Sequence, residues 1–327
     1  IVTTTDPRGR AVPAALHITT DEGGRRTAWV ESAQAIGLHL LEVPERDPGV
    51  TTTWGLGELL AAALDQGVDR VVVGLGGSAT NDAGAGMLAA LGAGPREALA
   101  GGGAGLIAVR EADLAGLAAT RERFAGVELV AATDVASPLL GLQGASAVFA
   151  AQKGADPEQS QLLEGALGHF VDQVRRVLPA GTDLLSGRER RLDREPGAGA
   201  AGGVGYALML LGARRASGVE MVLDAVGMDG LVAAADLVVT GEGRLDWQSL
   251  QGKVVAGVAE LAAAHATPAV ALAGQVLIGR REAMAMGLAG SYAVADKHAD
   301  LAPVMADPVG TLADRAERVA ATWSPRR

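Results

Sequence analysis

Residues 71–93 read VVVGLGGSATNDAGAGMLAALGA. Gly74, Gly76 and Gly77 let backbone N–H groups converge on an anion, and a following helix adds the partial positive charge of its N-terminus. Ser78, Thr80, Asn81 and Asp82 add polar groups to the same stretch. The string also fits the loose dinucleotide pattern G-x-G-x-x-A, from Gly74 to Ala79. However, no ribose-binding acid ends a second strand about twenty residues on. A tight strand-to-helix turn has the same signature at this level. An ordinary P-loop is excluded, because no G-x-x-x-x-G-K-[ST] occurs.

Three further stretches can carry chemistry. Thr133-Asp134 follows the strand-like run Val127–Ala132. In open α/β sheets ligands bind beyond the carboxyl ends of strands, and a carboxylate there can hold Mg²⁺ or take a hydroxyl proton. A turn cap would use the same residue types. Residues 238–253, VVTGEGRLDWQSLQGK, place Glu242, Arg244, Asp246 and Lys253 beyond a strand expected to end at Thr240. A carboxylate, a guanidinium and an ammonium together suit an anionic substrate and a phosphoryl group. Gly241 and Gly243 bracket the acid and permit close backbone approach. Residues 196–208, PGAGAAGGVGYAL, are either a second anion cradle or a packing surface of small residues.

Positioning these groups requires alternating elements. Ala14–Thr19 is a strand between the turns Asp6–Gly9 and Asp21–Gly24. Thr51-Thr52-Thr53 offers N-cap hydroxyls for the helix GELLAAALDQG, which Gly67 stops. Val71–Val73 is a buried strand, and Asn81 or Asp82 caps a helix carrying Met87, Leu88 and Leu91. Asp156-Pro157 opens an amphipathic helix whose stripe runs from Leu163 to Leu178. Residues 183–195 are a charged, solvated segment. From about residue 231 strands at 236–240, 269–273 and 290–295 alternate with helices at 253–265, 281–287 and 311–322. Such alternation implies a parallel sheet covered by helices.

Composition narrows the function classes. The chain has 327 residues, 49% hydrophobic and 20% charged, which supports a packed core and excludes disorder as the main state. The formal charge of −10 and 3% aromatics argue against a nucleic-acid surface. With no cysteine there is no thiol nucleophile, disulfide or zinc–thiolate site. None of the five histidines forms an i,i+4 metal pair. Residues 196–213 are uncharged, but their six glycines point to a turn leading into a buried helix, not to a membrane span. A cytoplasmic protein with no membrane partner is expected.

Several unusual strings, in order, resemble the bacterial glycerate kinase family of the first type. They are DPRGR, TTTWGLGEL, GLGGSATNDAGAGML, ATDVASPL, GASAVFAAQKGA, PGAGAAGG and TGEGRLDWQSLQGK, and the resemblance runs from about residue 6 to about residue 280. The resemblance implies ATP-dependent phosphorylation of D-glycerate to 2-phosphoglycerate or 3-phosphoglycerate, with Mg²⁺. It also implies two unlike α/β domains with the active site in the cleft between them. One is a Rossmann-like parallel sheet, the other a glycine-rich inserted α/β domain. On this sequence they are placed at 237–327 and 1–236. Family members begin with a D-S-F-K-G-like segment and later an M-A-D-G-G-E-G-like one, and neither is in this sequence, so apolar surface is expected on the C-terminal lobe.

The expected catalytic residues are Asp134, Asp246 and Lys253, with Asp134 also the metal ligand. Gly76, Gly77, Ser78, Thr80, Asn81, Asp82, Glu242 and Arg244 are expected to bind substrate or phosphate. The partner is a small molecule, and a homo-oligomer is allowed. The alternatives are a nucleotide-binding oxidoreductase using Gly74–Ala79, and an inactive kinase fragment.

Overall fold

The structure is a computed structural model that describes residues 1–179, 181–182, 187, 189–247, 249, 254–297 and 301–324. The chain divides into two compact units, Ile1–Ala216 and Ser217–Arg327. Sequence alternation alone placed the boundary later, at 236/237. The helices Gly218–Ala225 and Met228–Ala233 belong to the second unit.

The first unit opens with a hairpin of β1 (Val2–Thr5) and β2 (Ala11–Ala14). Its turn is the DPRGR string. Buried Asp6 accepts the amides of Arg8 and Arg10 at 2.8 and 2.9 Å and the Arg10 guanidinium at 2.6 Å. A mixed sheet follows, ordered β3 (His17–Thr20), β4 (Arg26–Glu31), β5 (Arg70–Gly74), β6 (Glu128–Ala132) and β7 (Arg214–Ala216). β3 is antiparallel to β4, and the other neighbours are parallel. The single strand expected over Ala14–Thr19 is therefore two, because Ala14 pairs with Val2 whereas His17 pairs with Trp29.

Val71, Val72 and Val73 are all buried, as a strand covered on both faces must be. The helices Trp54–Asp65, Ala85–Ala90 and Pro157–Val177 supply Leu56, Leu59, Leu60, Met87, Leu88 and Phe170 to the core. Each such side chain contributes about 1.5–3 kcal/mol by leaving water. Asp156 caps the long helix as expected, accepting the Gln159 amide at 2.7 Å. At the amino end of the sheet, Glu128 pairs with Arg25, Arg70 and Arg214. That ion cluster lies at the opposite end of the sheet from Glu31, Gly74 and Ala132, the last residues of β4, β5 and β6.

The second unit holds a three-stranded parallel sheet, ordered β10 (Leu288–Ala293), β9 (Ala269–Val276) and β8 (Val238–Leu245). The helices Val254–Ala264, Arg280–Ala285 and Pro308–Trp323 accompany it. β8 does not end at Thr240. It continues because Glu242 and Arg244 stay in register with Ala273 and Gln275 of β9. A Cβ on Gly241 would stand 2.2 Å from the Leu272 carbonyl oxygen, so this glycine serves strand–strand approach. Val239, Val222, Val226 and Leu231 are exposed apolar residues of this unit.

The segment 196–213 forms a buried turn and the helix Val204–Leu210. Among the described residues, no helix is long and apolar enough to cross a membrane.

Candidate functional site

In the first unit the site begins where β5 stops. Gly76 and Gly77 are exposed, and nothing lies within 4 Å of a Cβ built on Gly76. Gly77 has φ +59°, a left-handed conformation that suits glycine. Its carbonyl accepts the Leu38 amide at 2.7 Å, which ties the turn to the segment after β4. Gly74 is paired with Ala132, so Gly76 and Asp134 stand two residues beyond the same register pair on adjacent parallel strands. Both lie past the last pair of the sheet, Gly76 in an exposed glycine turn and Asp134 half-buried. Glu31, the last residue of β4, places Oε2 3.0 Å from where a Cβ of Gly74 would be. The end of β4 was not singled out in the sequence, although a carboxylate at a strand terminus was signal enough.

Beneath the turn the chain is enclosed. Ser78, Thr80, Asn81 and Asp82 are all buried. Asp82 Oδ2 accepts the amide and hydroxyl of Thr53, each at 2.9 Å, and the Gly86 amide at 3.3 Å, while Oδ1 accepts the Gly84 amide at 3.1 Å. Burial pushes the Asp82 carboxyl up from its ordinary 3.8, and those hydrogen bonds oppose the shift. A direct contact from Asp82 to an anion would need a carboxylate already engaged by four donors. Thr53 was expected to cap its own helix with its hydroxyl. It makes no such cap and instead donates to Asp82 and accepts the Met87 amide at 2.9 Å.

Lys153 is the residue that sequence reasoning passed over. It is 2% exposed, and its ammonium donates to the Thr80 carbonyl at 2.6 Å. Burial lowers its pKa from 10.5 to about 7, while the charge of Asp82 acts in the other direction. Its only sequence signal was its place in GASAVFAAQKGA. Ser146 of that string accepts the Asn81 amide nitrogen at 3.0 Å. Thr51 donates to the Ala79 carbonyl at 2.9 Å. Two strings far apart in sequence thus hold one loop.

The second glycine-rich string completes the enclosure. A Cβ on Gly202 would lie 1.9 Å from the Thr80 carbonyl oxygen, and one on Gly203 2.5 Å from the Ala83 Cα. Of its two readings, close packing of small residues is the one these contacts fit.

In the second unit, Thr240, Glu242 and Arg244 alternate along β8 and so share a face. Arg244 Nε lies 3.1 Å from Asp246 Oδ2, and the Asp246 amide donates to the Ser249 hydroxyl at 3.1 Å. Glu242 lines a cavity of about 590 Å³, and its Oε1 is buried without a hydrogen-bond partner among the described residues. Lys253 lies outside the described residues. Gly76, Gly77, Ser78, Thr80, Asn81, Asp82 and Asp134 therefore gather in one unit, and Glu242, Arg244 and Asp246 belong to the other.

A family model described as the glycerate kinase family matches residues 1–324. The chain is 42% identical over 277 residues to a glycerate kinase of Bacillus subtilis (strain 168), covering 83% of this chain and 68% of the relative. It is 40% identical over 277 residues to a glycerate 2-kinase of Escherichia coli (strain K12), with the same coverage. The crystal structure of a candidate glycerate kinase 2 from Salmonella typhimurium LT2 matches with a TM-score of 0.72 and 37% identity, over 98% of this chain and 81% of that one.

Proposed function

The chain belongs to the glycerate kinase family, and from that premise we propose how its residues phosphorylate glycerate. The reaction is phosphoryl transfer to an alcohol, and D-glycerate is the acceptor, ATP the donor and 2-phosphoglycerate or 3-phosphoglycerate the product. ATP-dependent chemistry of this kind assigns the protein to the cytoplasm. Phosphoryl transfer asks a protein for positioning and charge neutralisation, with little covalent chemistry of its own.

The observation that carries the reading is that the open Gly76–Gly77 turn and Asp134 follow the carboxyl ends of two paired parallel strands. We assign the acceptor to this place. Backbone amides of the turn bind the glycerate carboxylate. The Asp134 carboxylate receives the proton of the attacking hydroxyl as the oxygen–phosphorus bond forms. Thr80, Asn81, Asp82 and Lys153 hold the turn from below, so that it need not reorganise when the anion arrives.

To the second unit we assign the nucleotide. Arg244 offers a guanidinium to phosphate oxygens, and Asp246 orients it through the ion pair. Lys253 supplies a further positive charge. Mg²⁺, when bound, neutralises developing charge on the transferred group. Among the described residues no three His, Cys, Asp or Glu side chains form a metal cluster. Mg²⁺ fits that surrounding, because it is held largely by substrate phosphates and water with one or two protein carboxylates. Asp134 is the carboxylate assigned to it.

Steady-state kinetics test the reading. Wild-type protein should release ADP only when D-glycerate is present. Asp134→Asn should lower turnover by about 10²–10⁴-fold, the usual worth of a general base, with little change in KM. ADP release that ignores glycerate would overturn the assignment.

A further inference from the structure

The cavity beside β8 is a pocket of about 590 Å³ whose walls are mainly apolar, with Leu272, Val294, Val304 and Met305 among them. That volume falls within the range of small-molecule sites, which are apolar with a few convergent polar groups. Its polar anchor is Glu242. The Oε1 atom is buried and accepts no hydrogen bond among the described residues, although an acceptor left alone in such a place is costly. Backbone of Gly241 and Gly243 forms part of the same wall, and a Cβ built on Gly243 meets nothing within 4 Å, so its missing side chain leaves that space open. The cavity touches the carboxyl-terminal halves of β8 and β9, where ligands of parallel sheets bind.

A carboxylate in an apolar pocket repels phosphate. It favours instead a flat, largely apolar ring that brings one N–H donor. We propose that this pocket receives the base of the donor nucleotide, and that Glu242 accepts the exocyclic amine of adenine. The proposal rests on the kinase reading above and makes Glu242 a determinant of nucleotide specificity. Arg244, two residues along the same strand face, then lies on the phosphate side of the nucleotide.

ATP and ITP differ where the proposal needs them to. ITP has a carbonyl oxygen in place of the amine, which would set an acceptor against the Glu242 carboxylate. Displacement of a fluorescent N-methylanthraniloyl-ADP probe from the full chain measures both nucleotides without any need for turnover. Wild type should prefer ATP over ITP by at least about tenfold, the behaviour of a site built around a hydrogen bond. Glu242→Leu should erase that preference, and Val304→Trp, which fills the pocket, should weaken both nucleotides. A thermal melt of each variant checks folding.

Equal displacement by ATP and ITP in wild type would overturn the proposal even if glycerate phosphorylation is normal, and so would an unchanged preference in Glu242→Leu. A preserved ATP preference without glycerate-dependent ADP release would uphold the pocket and overturn the kinase reading instead. If Val304→Trp folds and binds ATP as wild type does, the base sits elsewhere and a polypeptide segment is the better occupant. If Val304→Trp fails to fold, the ATP-to-ITP ratio in wild type and Glu242→Leu decides alone.

Discussion

Two stretches in this protein combine a strand, glycines and charge, and they use them in opposite ways. After β5 the chain leaves the sheet and its charge goes inward: Asp82 is buried, as is Lys153, which reaches the same loop from a later string, and both are hydrogen-bonded to backbone. Along β8 the chain stays in the sheet through Gly241 and Gly243, and Arg244 and Asp246 form an ion pair in which the Arg244 side chain is 60% exposed. Glycine at the first place serves a left-handed turn, and at Gly241 it serves strand contact. Charge buried among fixed dipoles shapes a backbone, whereas charge at a strand end is available to a ligand. Removing the first should cost stability, and removing the second should cost activity or little at all.

The largest expected effect is the loss of turnover in Asp134→Asn, since Asp134 belongs to the accessible class. Turnover within about threefold of the parent, far short of a general base's usual worth, would remove it from that class. Next comes Asp82→Ala. The amides of Thr53, Gly84 and Gly86 lose their acceptor inside the protein. At about 1–3 kcal/mol for each stranded group, urea unfolding should show a loss of at least about 3 kcal/mol. A loss near zero would show that the loop does not depend on its buried carboxylate.

The pH dependence of stability sharpens the same contrast. Lys153 titrates near 7 in the folded chain against 10.5 ordinarily. Between those values the unfolded chain binds a proton that the folded chain lacks, so this group makes stability rise with pH. The slope is at most about 1.4 kcal/mol per pH unit for one proton. Asp82, shifted upward from 3.8, makes stability fall as pH rises from the acid side. Urea melts at two pH values above 7 should show the rise in wild type and its loss in Lys153→Met. The smallest effect should come from Arg244→Ala, which breaks an exposed pair and changes stability by about 0–1 kcal/mol. Asp246→Asn should lower turnover more than it changes the KM for glycerate. Normal turnover would leave the pair as surface decoration.

Much of this was legible in the residues. Periodicity and punctuation are local properties, so the strand Val71–Val73, the Asp156-capped helix and the β–α alternation after residue 231 could be read directly. Strand limits could not. Whether β8 ends at Thr240 depends on how far β9 continues beside it, and pairing is a property of two segments. Thr53 is similar: a helix cap by its own neighbours, it is a partner of Asp82 only once residues 29 positions apart are brought together.

By itself the sequence determined the elements, the order of the motifs and the family they resemble, because each depends on residue types at short spacing. Tertiary structure alone decided which polar groups face solvent. Asp82 and Asp134 each follow a strand and look alike in the chain. One is enclosed because the Thr51–Thr53 segment and the glycines at 202 and 203 close over it, and the other stays half-buried beyond the carboxyl end of β6. Lys153 had no visible role until Thr80 was placed 2.6 Å from its ammonium. Desolvation, which sets the charge and the work of such groups, is summed over everything packed around them, and no short stretch of sequence contains that sum.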